Sequence, residues 1–360
     1  MKKKKVYVTL ANGKVFQGYR FGADGDAVGE LVFSTGMVGY METITDPACY
    51  GQIVVQTFPL IGNYGIMKAD VESDKAWMNA YIVREVCETP SNFRSEGDLS
   101  SFLAEKGVIG VYGIDTRELT KILREEGAMT ARISSKKLTE EELGAMAEYK
   151  VADAVKTVAP SAAQTFSVDG AKYTVALWNL GTKNSVVRNL LARGVNVISM
   201  PANSKAEDIL GLDIDGIVVG DGPGDPKENK SVIAELKKVI GKKPLFGLGL
   251  GHLLVALAMD ADTCKHKYGH RGCNQPVRDT DSGRVYISTQ NHGYEVVSSS
   301  VTQGKISFVN VNDNSCEGID YERYNAFTVQ FMPECCDLGN AENPLYKKFF
   351  DMMQKEKENA

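Results

Sequence analysis

The chain has 360 residues, 43% of them hydrophobic, which is more than one core ordinarily organises, so two domains are expected. A net charge of -5, with Lys2 to Lys5 as the only basic run, excludes a broad electrostatic footprint for nucleic acid. Seven cysteines without a C-x-x-C pair or a secretory leader, and a longest apolar stretch (Pro244 to Met259) too short to span a bilayer, predict a cytoplasmic protein with reduced thiols and no membrane contact.

Residues 1–150 read as an α+β domain. Asn12-Gly13, between the alternating runs Val6 to Leu10 and Val15 to Gly18, is a tight-hairpin signal because both central residues tolerate positive φ. Gly29 to Ser34, Gln52 to Phe58 and Ala80 to Val86 are β-branched or aromatic runs and read as strands. Asp115 followed by Glu118 predicts a helix start, and Gly127 its stop, around Leu119, Ile122 and Leu123.

Periodicity fades over 151–170, where Pro160-Ser161-Ala162-Ala163 marks a linker. Residues 171–360 then alternate strand and helix. Strand Tyr173 to Trp178 leads to helix Lys183 to Arg193, whose apolar face is Val186, Val187, Leu190 and Leu191. Strand Val195 to Ser199 follows, then strand Gly216 to Val219, helix Lys230 to Ile240 and the buried strand Pro244 to Gly247. This order predicts an open doubly wound α/β sheet, with its site at the carboxyl ends of the strands.

Two features fall at that edge. Gly222-Pro223-Gly224-Asp225-Pro226 closes one strand, and Gly247-Leu248-Gly249-Leu250-Gly251-His252 closes the next. The second has the outline of a nucleophile elbow, in which a strained strand-to-helix turn projects the central side chain into the site. That central residue is Gly249, which has no side chain to project. A dinucleotide loop would need glycine at 252, where His252 stands, and a ribose-binding acid that is absent. The four histidines and seven cysteines lack zinc-ligand spacing, so no metal site is expected.

Beyond these motifs, Ser34-Thr35-Gly36-Met37-Val38-Gly39-Tyr40-Met41-Glu42, Asp46-Pro47, Asn179-Leu180-Gly181-Thr182-Lys183, Tyr268-Gly269-His270-Arg271-Gly272, Gln290-Asn291-His292-Gly293-Tyr294 and Gln330-Phe331-Met332-Pro333-Glu334 run in order through nearly the whole chain. Together they resemble the small subunit of carbamoyl phosphate synthetase, a class I glutamine amidotransferase. The resemblance implies a family-specific amino-terminal domain, a glutaminase domain with a Cys-His-Glu triad, and delivery of ammonia through a tunnel to a large subunit. ATP and Mg would belong to that large subunit, so no cofactor is expected in this chain. Assembly beyond that pair is allowed, and the pathway served, pyrimidine or arginine biosynthesis, stays open.

Residue by residue, the resemblance places Gly249 at the cysteine, Met332 at the histidine and Glu334 at the glutamate. Gly222 and Leu250 stand at the oxyanion donors, with Gly224 in the same loop. Leu253 stands at a glutamine-binding amide and Gly36 at a binding hydroxyl, whereas Asn291, Gly293 and Tyr294 match the remaining pocket positions. Losing nucleophile or base alone costs a triad enzyme on the order of 10⁶ in rate, so glutamine hydrolysis should be negligible. Each missing hydrogen bond weakens glutamine binding by roughly 0.5 to 1.5 kcal/mol.

The leading expectation is therefore a non-hydrolytic small subunit or paralogue that holds an ammonia-using large subunit in a working conformation. The family offers a precedent in synthetases that keep this domain without its nucleophile. A relocated nucleophile (Cys264, Cys273, Cys335 or Cys336) or catalytic residues removed by engineering is a second reading. A stand-alone protein binding another small ligand in a cleft made apolar by Leu253 and Met332 is a third.

Overall fold

The computed structural model describes residues 4–146, 148–337 and 343–359, so Lys2 and Lys3 of the basic run lie outside the described residues. Lys4 of that run is paired, its Nζ 2.8 Å from Asp24 Oδ1. The chain divides into two compact units, residues 1–152 with 267–272, and residues 153–266 with 273–360.

In the first unit the strands are β1 (Lys4–Leu10), β2 (Val15–Gly22), β3 (Ala27–Ser34), β4 (Gln52–Gln56), β5 (Leu60–Ile61), β6 (Ala80–Ile82), β7 (Glu85–Val86), β8 (Ile109–Tyr112) and β9 (Met129–Ser134). The helices are α1 (Tyr40–Thr45), α2 (Leu99–Glu105), α3 (Thr116–Glu126) and α4 (Glu140–Met146). Seven strands close into a barrel in the order β1-β2-β8-β6-β4-β3-β9, and β5 pairs with β7 apart from it. The predicted run Ala80 to Val86 is therefore two strands in different sheets. The Asn12-Gly13 hairpin is present, with Val8 opposite Phe16 and Gly13 at φ 85°.

Alternation along the strands divides the apolar residues between two faces. Val6, Val8, Leu31, Phe33, Ile53 and Val55 gather in one cluster with Leu119, Ile122 and Leu123 of α3. Val32, Val54 and Tyr81 gather in another with α1 and α2. The predicted caps of α3 are formed: the Glu118 N–H donates to Asp115 Oδ1 at 3.0 Å, and Gly127 ends the helix at φ 98°. Residues 267–272 belong to this unit, where the Lys267 carbonyl accepts from the Ala128 N–H at 2.7 Å and the Arg271 carbonyl from the Thr35 N–H at 3.1 Å.

The second unit begins with α5 (Ala154–Val158) and β10 (Gln164–Phe166). Residues 151–170, expected as a linker, are thus not a bare connection, because β10 pairs antiparallel with a strand of the main sheet through Gln164 and Ser199. There follow β11 (Tyr173–Trp178), α6 (Asn184–Leu191), β12 (Val195–Met200), α7 (Ala206–Leu210), β13 (Gly216–Val219), α8 (Lys230–Val239), β14 (Leu245–Leu248) and α9 (Leu250–Ala258). The remainder comprises β15 (Thr263–Asp279), β16 (Val285–Val296), β17 (Lys305–Asn310), β18 (Cys316–Tyr321), β19 (Ala326–Val329), β20 (Met332–Asp337) and α10 (Pro344–Asn359).

Strands β12, β11, β13, β14 and β19 are parallel neighbours, the doubly wound core the sequence predicts. An antiparallel extension through β18, β17, β15, β16 and β20 brings the sheet to eleven strands among the described residues. Ala176, Trp178, Ile217 and Val219 face α7, α8 and α9. Val175, Leu177, Val218 and Phe246 face α6 and α10. Successive residues of one strand feed opposite cores, so these strands read as continuous apolar runs. Among the described residues no helix is long and apolar enough to cross a membrane.

Candidate active site

The parallel core sends three loops to one edge of the second unit, as a doubly wound sheet requires. After β11, Asn179 Oδ1 accepts from the N–H groups of Gly181 (3.0 Å) and Thr182 (2.8 Å), which shapes the turn into α6. Lys183, predicted as the first helical residue, is instead the extended N-cap. After β13 comes the loop from Gly220 to Pro226, and after β14 the elbow.

Gly249 has φ 52° and ψ -112°, a conformation that glycine adopts freely and a side chain does not. Its N–H donates to the Val329 carbonyl at 3.0 Å, tying the elbow to the neighbouring strand. The N–H groups of Gly222 and Leu250, expected to serve a developing oxyanion, converge on one point. Both Gly222 and Leu250 donate to a single oxygen, Asp221 Oδ1, at 2.8 Å each. Gly222 must be glycine, since a Cβ there would collide with the Leu180 carbonyl.

Asp221 is a residue that sequence reasoning missed. A Cβ built on Gly249 would fall inside its carboxylate, whose farther oxygen would stand 2.8 Å away. The volume a side chain at 249 would use is thus filled by the Asp221 carboxyl group. The only sequence signal was its position immediately before Gly222-Pro223-Gly224.

Met332 opens β20, and its sulfur lies 2.9 Å from Lys183 Nζ. The same ammonium is 2.7 Å from Glu334 Oε1, with side-chain exposures of 5% for Lys183 and 2% for Glu334. The carboxylate that would orient an imidazole is therefore engaged by a buried cation. Such a pair is balanced only while both members are present.

His252, on the first turns of α9, is fully buried, and its Nδ1 is 2.7 Å from Thr328 Oγ1. Burial pushes its pKa down to about 3, so the ring is neutral at ordinary pH and fills a structural role. Leu253, expected to line the cleft, is 3% exposed and packs in the core beneath the sheet with Leu250, Leu254 and Val255. Gly224, at φ 90°, sits in the Gly-Pro-Gly loop, where a Cβ would stand 2.8 Å from Ala154 Cβ.

Asn291, Gly293 and Tyr294 lie on β16, the strand whose Thr289 is in register with Met332. Between them the His292 ring lies with Nδ1 2.9 Å from the Tyr294 carbonyl oxygen and Nε2 3.1 Å from Gln290 Oε1. Gln290 Nε2 donates in turn to the fully buried Glu317 at 3.1 Å, a carboxylate that the sequence did not reveal. Gly36 belongs to the first unit, where its carbonyl accepts from Gln56 Nε2 and its N–H lies 3.4 Å from Ser34 Oγ.

Two of the other cysteines have thiols held above the ordinary range. Burial and then the Glu295 carboxylate push the exposed Cys264 thiol up, and burial pushes Cys316 up to about 12. Cys273 and Cys335 are exposed, and the side chain of Cys336 lies outside the described residues.

Residues 8–133 match the family model for the carbamoyl-phosphate synthase small chain, CPSase domain, and residues 177–352 match that for glutamine amidotransferase class-I. The carbamoyl phosphate synthase small chain of Clostridium perfringens is 44% identical over 346 residues, covering 96% of this chain and 98% of the relative. That of Listeria innocua is 42% identical over 358 residues, covering 98% of each. That of Fusobacterium nucleatum is 44% identical over 349 residues, covering 94% and 96%. With an elbow, paired donor amides and matching family domains in order along almost its whole length, this chain belongs to the carbamoyl phosphate synthase small chain family.

Proposed function

We propose that this chain is a non-hydrolytic small chain: it partners a carbamoyl phosphate synthase large chain as a structural and regulatory subunit, while nitrogen reaches the large chain as free ammonia. Acyl transfer from glutamine needs a thiolate, a base and free oxyanion donors. The observation that carries the reading is the elbow itself. Residue 249 is glycine at φ 52°, and no thiol or hydroxyl replaces it there.

Two further facts support it. Met332 offers a thioether where a base would be needed, and Lys183 Nζ stands 2.9 Å from its sulfur and 2.7 Å from Glu334. A cation in that position would also oppose protonation of any imidazole introduced beside it. The scaffold is otherwise complete, since the Asn179 turn, the Gly-Pro-Gly loop and the elbow hydrogen bonds are all formed. A folded site edge without its nucleophile fits a subunit retained for its surface.

The test is reconstitution with the large chain of a relative and a comparison of nitrogen donors. The expected result is a stable complex that makes carbamoyl phosphate from ammonium and not from glutamine. Glutamine-dependent synthesis at a rate comparable to the ammonium rate would overturn the proposal, and so would failure of the two chains to associate.

A further inference from the structure

We propose that Asp221 is an internal plug of this site: its carboxylate takes both donor amides and the space of the missing nucleophile, so it bars an amide carbonyl from the site independently of the loss of the thiol. The inference rests on the reading above, in that no acyl group visits residue 249.

Three observations converge on it. Asp221 Oδ1 accepts from two N–H groups of different loops, Gly222 and Leu250, at the same 2.8 Å. These amides would otherwise point at the oxygen of a bound carbonyl. A Cβ on Gly249 would overlap the carboxylate, so a side chain at 249 and Asp221 in this position exclude each other. Finally, the Asp221 backbone is itself held, its carbonyl accepting from Thr182 Oγ1 at 3.4 Å. The carboxylate is therefore presented by a loop that is itself anchored to the turn after β11.

The charge matters as well as the volume. A neutral substrate carbonyl must displace an anion that already holds two charge-assisted hydrogen bonds. A thiol introduced at 249 would ionise beside a carboxylate, which raises its pKa and lowers its thiolate fraction. Restoring the thiol alone would accordingly force the carboxylate to shift while leaving it beside the sulfur, and the thiol would stay sluggish.

The test places a thiol at the elbow and varies residue 221. Gly249→Cys is made with Asp221 retained, with Asp221→Asn and with Asp221→Ala. Each variant is then alkylated with iodoacetamide across pH, where the thiolate sulfur bonds to the methylene carbon and iodide leaves. Alkylation at residue 249 should be at least about tenfold faster at pH 7 in the Asp221→Ala background, with Asp221→Asn between, because removing a like charge lowers the thiol pKa by about a unit or more. Equal rates in all three backgrounds would overturn the proposal.

If Gly249→Cys does not fold, the unaltered chain carries the test through the amide proton shifts of Gly222 and Leu250. The two should titrate together with one midpoint and stop doing so in Asp221→Asn; shifts that do not titrate, or that titrate equally in the variant, would overturn it. Glutamine hydrolysis by the unaltered chain would sink the proposed function and leave this titration unaffected, so the two failures are distinguishable.

Discussion

Replacing Gly249 by alanine adds one methyl group at a position where two independent costs meet. The first is conformational: a non-glycine residue held at φ 52° and ψ -112° costs about 1 to 3 kcal/mol. The second is displacement of Asp221, because the new Cβ would occupy the space of its carboxylate. Hydrogen bonds to a charged group contribute about 1.5 to 3 kcal/mol each. Asp221 is half-buried, so water recovers part of that loss, and the displacement is set at about 2 kcal/mol for the pair of bonds. Gly249→Ala should then destabilise the chain by about 3 to 5 kcal/mol in urea. In an Asp221→Ala background only the conformational part remains, so the double-mutant cycle should show a coupling of about 2 kcal/mol. Additive effects, within about 0.5 kcal/mol, would refute the reasoning, because they would mean that Asp221 does not occupy the space at 249.

His252 gives a pH dependence with a definite sign. Its folded pKa lies near 3, below the usual histidine value, so the unfolded chain binds a proton that the folded chain refuses. Its contribution is fully present above about pH 6.5 and declines as pH falls towards 3, amounting to about 2 kcal/mol lost by pH 5. Urea denaturation at pH 7 and pH 5 should show this excess loss relative to His252→Gln, and a ring that titrates normally in the folded chain by NMR would exclude it. Removing one member of the buried Lys183–Glu334 pair, as in Lys183→Met or Glu334→Gln, should cost about 3 to 5 kcal/mol, with the double variant costing less than the sum of the two. In the first unit, Gly110→Ala would drive a Cβ into the Phe21 ring and should lower stability by about 1 to 3 kcal/mol, which thermal denaturation would register. Asp115→Ala removes the cap of α3 and should cost about 0.5 to 2 kcal/mol, again read by denaturation.

Local chemistry made much of the second unit legible before its structure. Strands Tyr173–Trp178 and Gly216–Val219 begin and end where the apolar runs do, and the elbow lies where a glycine-rich turn joins a buried strand to a helix. The Asn12-Gly13 hairpin and the caps of α3 are equally local and equally readable. Pairing between distant segments was not. Closure of the barrel through β1 and β9 joins residues such as Val8 and Ile133, and nothing in either run specifies the other. Residues 267–272 fall in the first unit for the same reason.

At the site, the motifs named the residues at the elbow and on β20, whereas the side chains packed around them could not be read from sequence. The direction of the Asp221 carboxylate depends on three loops at once, from β11, β13 and β14. Leu253 is buried in the same apolar cluster as Leu250, a packing that its place in the motif did not reveal. Glu317 was hidden among ordinary surface-compatible residues, and only the register of β16 beside β18 brings it to Gln290.

The most direct test of the central claim is a measurement of amide nitrogen release from [amide-15N]glutamine by this chain, alone and with a large chain present. The account predicts labelled ammonia at no more than the rate in buffer under both conditions. Release above that rate, abolished by a substitution at any residue of the second unit's site edge, would contradict it.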